Sequence, residues 1–163
     1  MKHTAHALLL ALAGAAPAAV AQQAPGQLFR GLTTVETSVI GVTPAMEAEG
    51  LRVRDIHDDI DRRLRGTRLL LRRGLGQAPA GTALANPLLQ VTPNCRSGSS
   101  GRQVCHVSVE LREAVALVRD PAVRLVGTVW HSSWLGEINR FSELRARIES
   151  MVDQFANDYS TLR

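Results

Sequence analysis

Between residues 103 and 118 apolar and polar side chains alternate, with Cys105, Val107, Val109 and Leu111 on one side and His106, Ser108, Glu110 and Arg112 on the other. Period two sustained over that length describes a strand with one side turned to a core. Such a strand requires neighbours to pair with and a layer to cover its apolar side. Residues 88–94 read as one neighbour, joined to it through the polar run Arg96, Ser97, Gly98, Ser99, Ser100, Gly101 and Arg102. Residues 123–130 read as the other, after a turn at Asp120 and Pro121. A three-stranded meander is expected, and Gly127 leaves room in it for close packing.

Two helical stripes supply the covering layer. Over 51–65, Val53, Ile56, Ile60 and Leu64 recur at helical spacing, and Gly66 supplies the stop. Asp58, Asp59 and Asp61 each precede an arginine by four residues (Arg62, Arg63 and Arg65); each such pair adds about 0.2–0.5 kcal/mol to a helix. Over 142–162, Leu144, Ile148, Met151, Val152, Phe155, Tyr159 and Leu162 form the second stripe, with Ser142 placed as its cap. The β-branched stretch 32–42 reads as a first strand and Leu69, Leu70 and Leu71 as a short strand after the first helix. Together they predict a strand-helix-strand unit with a right-handed crossover. Residues 74–87, rich in glycine and proline, read as a long loop. The expected fold class is α+β, a mixed, mainly antiparallel sheet of about five strands with the two helices on one face.

The first residues run from cationic Met1, Lys2 and His3 through the apolar stretch at 7–13 to Ala19, Val20 and Ala21. That order is expected of a secretory signal peptide cut after Ala21. The apolar core is well short of the ~20 residues that span hydrocarbon, and no cysteine follows it to carry a lipid. The expected division is a removed leader at 1–21, a flexible lead-in at 22–31 and a single α+β domain at 32–163, with no transmembrane anchor and a periplasmic location. Cleavage also removes Lys2, the only lysine, so every cationic side chain of the exported domain is arginine. The formal net charge of +4 is modest, and export argues against a nucleic-acid partner.

Cys95 and Cys105, the only cysteines, share strand parity with the core-facing residues of their strands. In an oxidising compartment a disulfide is the default for such a pair, and closing so short a loop contributes about 2–3 kcal/mol in the chain-entropy model. The spacing is not the Cys-x-x-Cys of thiol-disulfide exchange.

The carboxy-terminal half resembles a group of small exported bacterial proteins of uncharacterised function. The residues that carry the likeness are Val109, Glu110, Leu111 and Arg112; Val115 and Leu117; Arg119, Asp120 and Pro121; Thr128, Val129 and Trp130; and the run from Val152 through Phe155 and Asn157 to Tyr159. It spans roughly residues 86–160, with a weaker echo in the helix at 51–65. The resemblance implies a periplasmic α+β domain and brings no catalytic residues. The chain departs from that pattern at Cys95 and Cys105, and at His131, Ser132, Ser133 and Trp134.

Four constellations bear on chemistry. His57 and Asp61 are spaced to share a metal on one helical face, but two ligands are too few, and no metal or cofactor is expected. Ser132, Ser133 and His131 have no Gly-x-Ser-x-Gly elbow to serve. Arg62, Arg63, Arg65, Arg68, Arg72 and Arg73 crowd one stretch, a candidate anion-binding surface for envelope lipid headgroups or anionic polysaccharide. Trp130, His131 and Trp134, in the connection before the last helix, are a candidate partner-binding surface. With no convergent catalytic set, the leading expectation is a non-catalytic periplasmic binding or envelope-assembly module. The alternatives are a small hydrolase or metal-dependent enzyme, and a polyanion binder.

Overall fold

The computed structural model describes residues 27–74, 84–98 and 101–162. The predicted leader, half of the lead-in (22–26) and most of the loop at 74–87 lie outside them. Along the chain run β1 (Thr34–Val39), α1 (Pro44–Ala48), α2 (Val53–Leu64), β2 (Leu70–Arg73), β3 (Leu88–Ser97), β4 (Gln103–Leu117), β5 (Asp120–Ile138) and α3 (Phe141–Thr161). The strands form one mixed sheet in the order β2-β1-β3-β4-β5. β1 is parallel to both of its neighbours, whereas β3, β4 and β5 are an antiparallel meander. This is the expected α+β class.

One face of the sheet carries the core. Val35 on β1, Leu89 and Val91 on β3, and Val107, Val109 and Leu111 on β4 all point to it, and Ile56, Ile60 and Leu64 of α2 and Leu144, Ile148 and Phe155 of α3 close over them. Alternation thus places the core-facing set of β4 correctly. On the other side Ser108 is nonetheless buried, because its small side chain sits between Thr92 and Ser133 in the register of a central strand. Phe29, read in the sequence as lead-in, is 1% exposed and packs edge-on against Phe155 and Tyr159, at 5.7 and 5.8 Å between centroids. The Tyr159 hydroxyl donates to the Leu32 carbonyl at 2.9 Å. These contacts tie the last turns of α3 to the residues that lead into β1.

Several local expectations move. β1 stops at Val39, short of the expected 42, and the next residues turn into α1, which Thr43 caps: its hydroxyl accepts from the Met46 N–H, with Pro44 at the first helical position. Beyond α2 the chain makes a 3-10 turn over Arg65–Thr67, and the left-handed residue that ends it is Arg68 (φ 66°), not Gly66. The Thr67 hydroxyl satisfies the Leu64 carbonyl there at 2.7 Å. Ser142 lies inside α3, whose N-cap is Arg140, two residues before the expected cap, and the buried Phe141 is the first helical residue. The turn expected at Asp120 and Pro121 lies at Val118 and Arg119: Leu117 pairs with Asp120, and β5 continues unbroken to Ile138.

Candidate functional site

Because β5 is one long strand, Trp130, His131 and Trp134 belong to it and not to a connection. Alternation then separates them. Trp130 points to the core, 8% exposed, with its ring 5.2 Å from Phe155 and its indole N–H donating to Asp158 at 2.9 Å. Trp134 lies on the same face, half-buried, under the Arg147 guanidinium at 5.4 Å from the ring centroid. His131 stands exposed on the opposite face, opposite Glu110 of β4. Ser132 also points to the helix side and donates to Gln154 at 2.9 Å, while Ser133 faces away. Of the residues of the hydrolase alternative, His131 and Ser133 therefore share the outer face and Ser132 lies on the other.

The arginine cluster is divided too. None of the three acid-arginine pairs spaced four apart on α2 forms among the described residues, because each acid has a closer partner on another turn or element. Asp59, with 2% of its side chain exposed, accepts from Arg62 one turn on and from Arg145 of α3, whose Nε and Nη2 approach at 2.5 and 2.9 Å. Burial pushes the Asp59 carboxyl up, but the Arg145 hydrogen bonds and charge, joined by Arg62, outweigh it and hold the group below the usual carboxylate range. Arg63 reaches across to α3, to Asp153 and to Glu149 at 2.5 Å. Arg73 on β2 bridges Asp58 and Asp61, each at 2.7 Å. Arg65, Arg68 and Arg72 are exposed and have no acidic partner among the described residues.

His57, the other half of the metal candidate, is buried, with Nδ1 3.1 Å from the Thr37 hydroxyl of β1. Burial and the Arg73 charge lower its pKa against the opposing pull of Asp61 and Asp58. With Asp61 held by Arg73, the pair works as a polar joint between α2 and the sheet. Among the described residues no three His, Cys, Asp or Glu side chains are grouped as metal ligands.

The Cys95–Cys105 disulfide is formed, between residues directly opposite each other on β3 and β4. Past Leu111 the β4–β5 hairpin loses its cover: no residue from Arg112 to Val129 is buried, and Val118, Val123 and Leu125 are 100%, 39% and 50% exposed. At the base of this hairpin a cleft of about 280 Å³ is lined by Leu28, Arg30, Thr33, Asn86, Pro87 and Glu113. Burial raises the Glu113 carboxyl above its ordinary value. Sequence reasoning passed over this cleft. Its one legible sign was Glu113 itself, an acid at the same strand parity as Cys105, Val107, Val109 and Leu111.

No protein-family model and no curated protein matches this sequence. A crystal structure of a minor lipoprotein from Acinetobacter baumannii aligns at 10% identity with a TM-score of 0.36, over 80% of this chain and 94% of that one. Among the described residues no helix is long and apolar enough to cross a membrane.

Proposed function

We propose that this chain is an exported envelope protein, cut after Ala21, that acts in the periplasm as a non-catalytic binding or assembly module. The observation that carries this reading is the β4–β5 hairpin, which runs out past the helices with Val118, Val123 and Leu125 exposed. Apolar side chains held in solvent on an ordered projection suit a surface that meets another molecule. The disulfide fits an oxidising compartment, and His57 and Asp61, the residues best spaced for metal chemistry, are engaged in internal contacts. A photo-crosslinking residue at Val118, compared with one at Ser150 on the exposed side of α3, tests the reading in living cells. A discrete adduct with an envelope component from position 118 alone supports it. Even labelling from both positions, with substrate turnover by the purified protein that is lost in His131→Ala, overturns it.

A second reading has one observation of its own. Arg65, Arg68 and Arg72 stay exposed without acidic partners among the described residues, as an anion site requires. Salt-sensitive pelleting with anionic vesicles, lost when these three arginines are replaced by glutamine, favours that reading. Pelleting unchanged by the triple replacement removes it.

A further inference from the structure

The free edge of β5 is complementary to itself. Cys95 and Cys105 have Cα atoms 4.1 Å apart, the narrow spacing of a non-hydrogen-bonded antiparallel pair. The Gly98 N–H bond to the Arg102 carbonyl at 2.7 Å falls on the alternate phase, as it must. Cys105 therefore turns its backbone groups toward β5, where its partner is Gly136. It follows that Ser132, Trp134 and Gly136 bond back to β4, while His131, Ser133, Leu135 and Glu137 direct their N–H and C=O groups to the open edge. The bulge between Leu111 and Arg112 resets this count, so that Arg124, Val126 and Thr128 are the outward residues of the other half of β5. Among the described residues β5 is paired with β4 only. It is a 19-residue edge with Leu125 and Leu135 at 50% and 70% exposure, the kind of edge that proteins shorten, charge or cover.

We propose that a second copy of this chain covers it, pairing antiparallel along β5 about a two-fold axis at the bulge. The register that matches both the backbone phase and the side-chain faces sets Arg124 opposite Glu137 of the second copy, Val126 opposite Leu135 and Thr128 opposite Ser133. On the helix-bearing face Leu125 meets Gly136, over which the Trp134 ring of the same strand lies, and Gly127 meets Trp134. Symmetry repeats every pair. A slip of two residues in one direction sets Arg124 against Leu135, and in the other sets Glu137 against Val126; both put a charge against an apolar side chain. Opposite-charge and apolar cross-strand pairs are the units that fix register in antiparallel sheets, and an isologous edge pairing closes the assembly at two copies.

The test is the mass in solution of the full chain, by light scattering across a dilution series, beside three variants. The expected result is a two-chain mass at high concentration, a dissociation constant raised roughly tenfold or more by Arg124→Glu, and recovery in the double swap Arg124→Glu with Glu137→Arg. Glu137 also meets Arg102 of its own chain at 3.4 Å, so Arg124→Glu is the cleaner single change. In a third variant, Val126→Cys with Leu135→Cys, a short bis-maleimide links two chains; within one strand these positions are roughly 30 Å apart and out of its reach. All the altered side chains are exposed or half-buried, and an unchanged circular dichroism spectrum verifies folding. A one-chain mass throughout, with no inter-chain link, overturns the proposal, as does a two-chain mass indifferent to Arg124→Glu.

Discussion

Replacing Asp59 by alanine removes the acceptor at the centre of the seam between α2 and α3. Three hydrogen bonds from two guanidinium groups converge on a side chain that is 2% exposed. Taking away one partner of a buried ion pair costs about 3–5 kcal/mol when the other is stranded. Here the arginines are not wholly stranded: Arg145 and Arg62 are 34% and 60% exposed, and Glu149 lies 3.8 Å from each. The expected loss is therefore smaller, about 2–3 kcal/mol, and at roughly 3–5 °C per kcal/mol it lowers Tm by about 10 °C. Urea midpoints and thermal melts at pH 7 measure it. The pH dependence has a definite sign. A carboxyl whose folded pKa lies below its unfolded value contributes fully above the ordinary carboxylate range, and the contribution is lost as pH falls through the folded pKa. The gap between wild type and Asp59→Ala must therefore narrow below about pH 4. A variant melting within ~2 °C of wild type at pH 7, or a gap that persists unchanged in acid, refutes the reasoning.

Other consequences are as direct. Trp130→Phe keeps the ring against Phe155 but leaves Asp158 without its indole donor, and should cost about 1 kcal/mol by urea denaturation; Trp130→Ala, which empties the site, should cost about 3–5 kcal/mol. The double variant Cys95→Ser with Cys105→Ser should lose about 2–3 kcal/mol with little change in the far-ultraviolet spectrum, since the ladder that surrounds the bridge remains. His57 has a folded pKa below its unfolded one, so stability must fall as pH drops below the unfolded value of about 6.5 and through the folded one. His57→Asn should flatten that part of the stability profile; a slope identical to wild type contradicts the buried neutral imidazole.

Where one periodicity governed a segment, the sequence was legible. The faces of β4 and the stripes of α2 and α3 follow from spacing alone, and the parity of Cys95 and Cys105 led to their bridge. The losses came where a tertiary partner outbid a local one. Asp59 had an arginine four residues on in its own helix, but α3 placed Arg145 beside it in a fork, and nothing in the sequence couples positions 59 and 145. The single strand β5 was hidden by Asp120 and Pro121, which mark a turn in isolation; here they begin an edge strand, where proline is tolerated because its nitrogen need not bond to a neighbour. Reading a connection across 131–134 then grouped two tryptophans and a histidine that the pleat sets on opposite faces. The cleft at Glu113 needed Leu28, Asn86 and β4 brought together from distant parts of the chain, and only the acid at a core-parity position gave it away.

The proposal that the projecting hairpin meets another envelope molecule is tested most directly by the photo-crosslinker at Val118. That position is fully exposed at the hairpin tip and lies outside the residues proposed to pair two copies. The expected result is one discrete adduct from position 118 in the envelope fraction and none from position 150. No adduct from position 118 in cells that export the protein contradicts it.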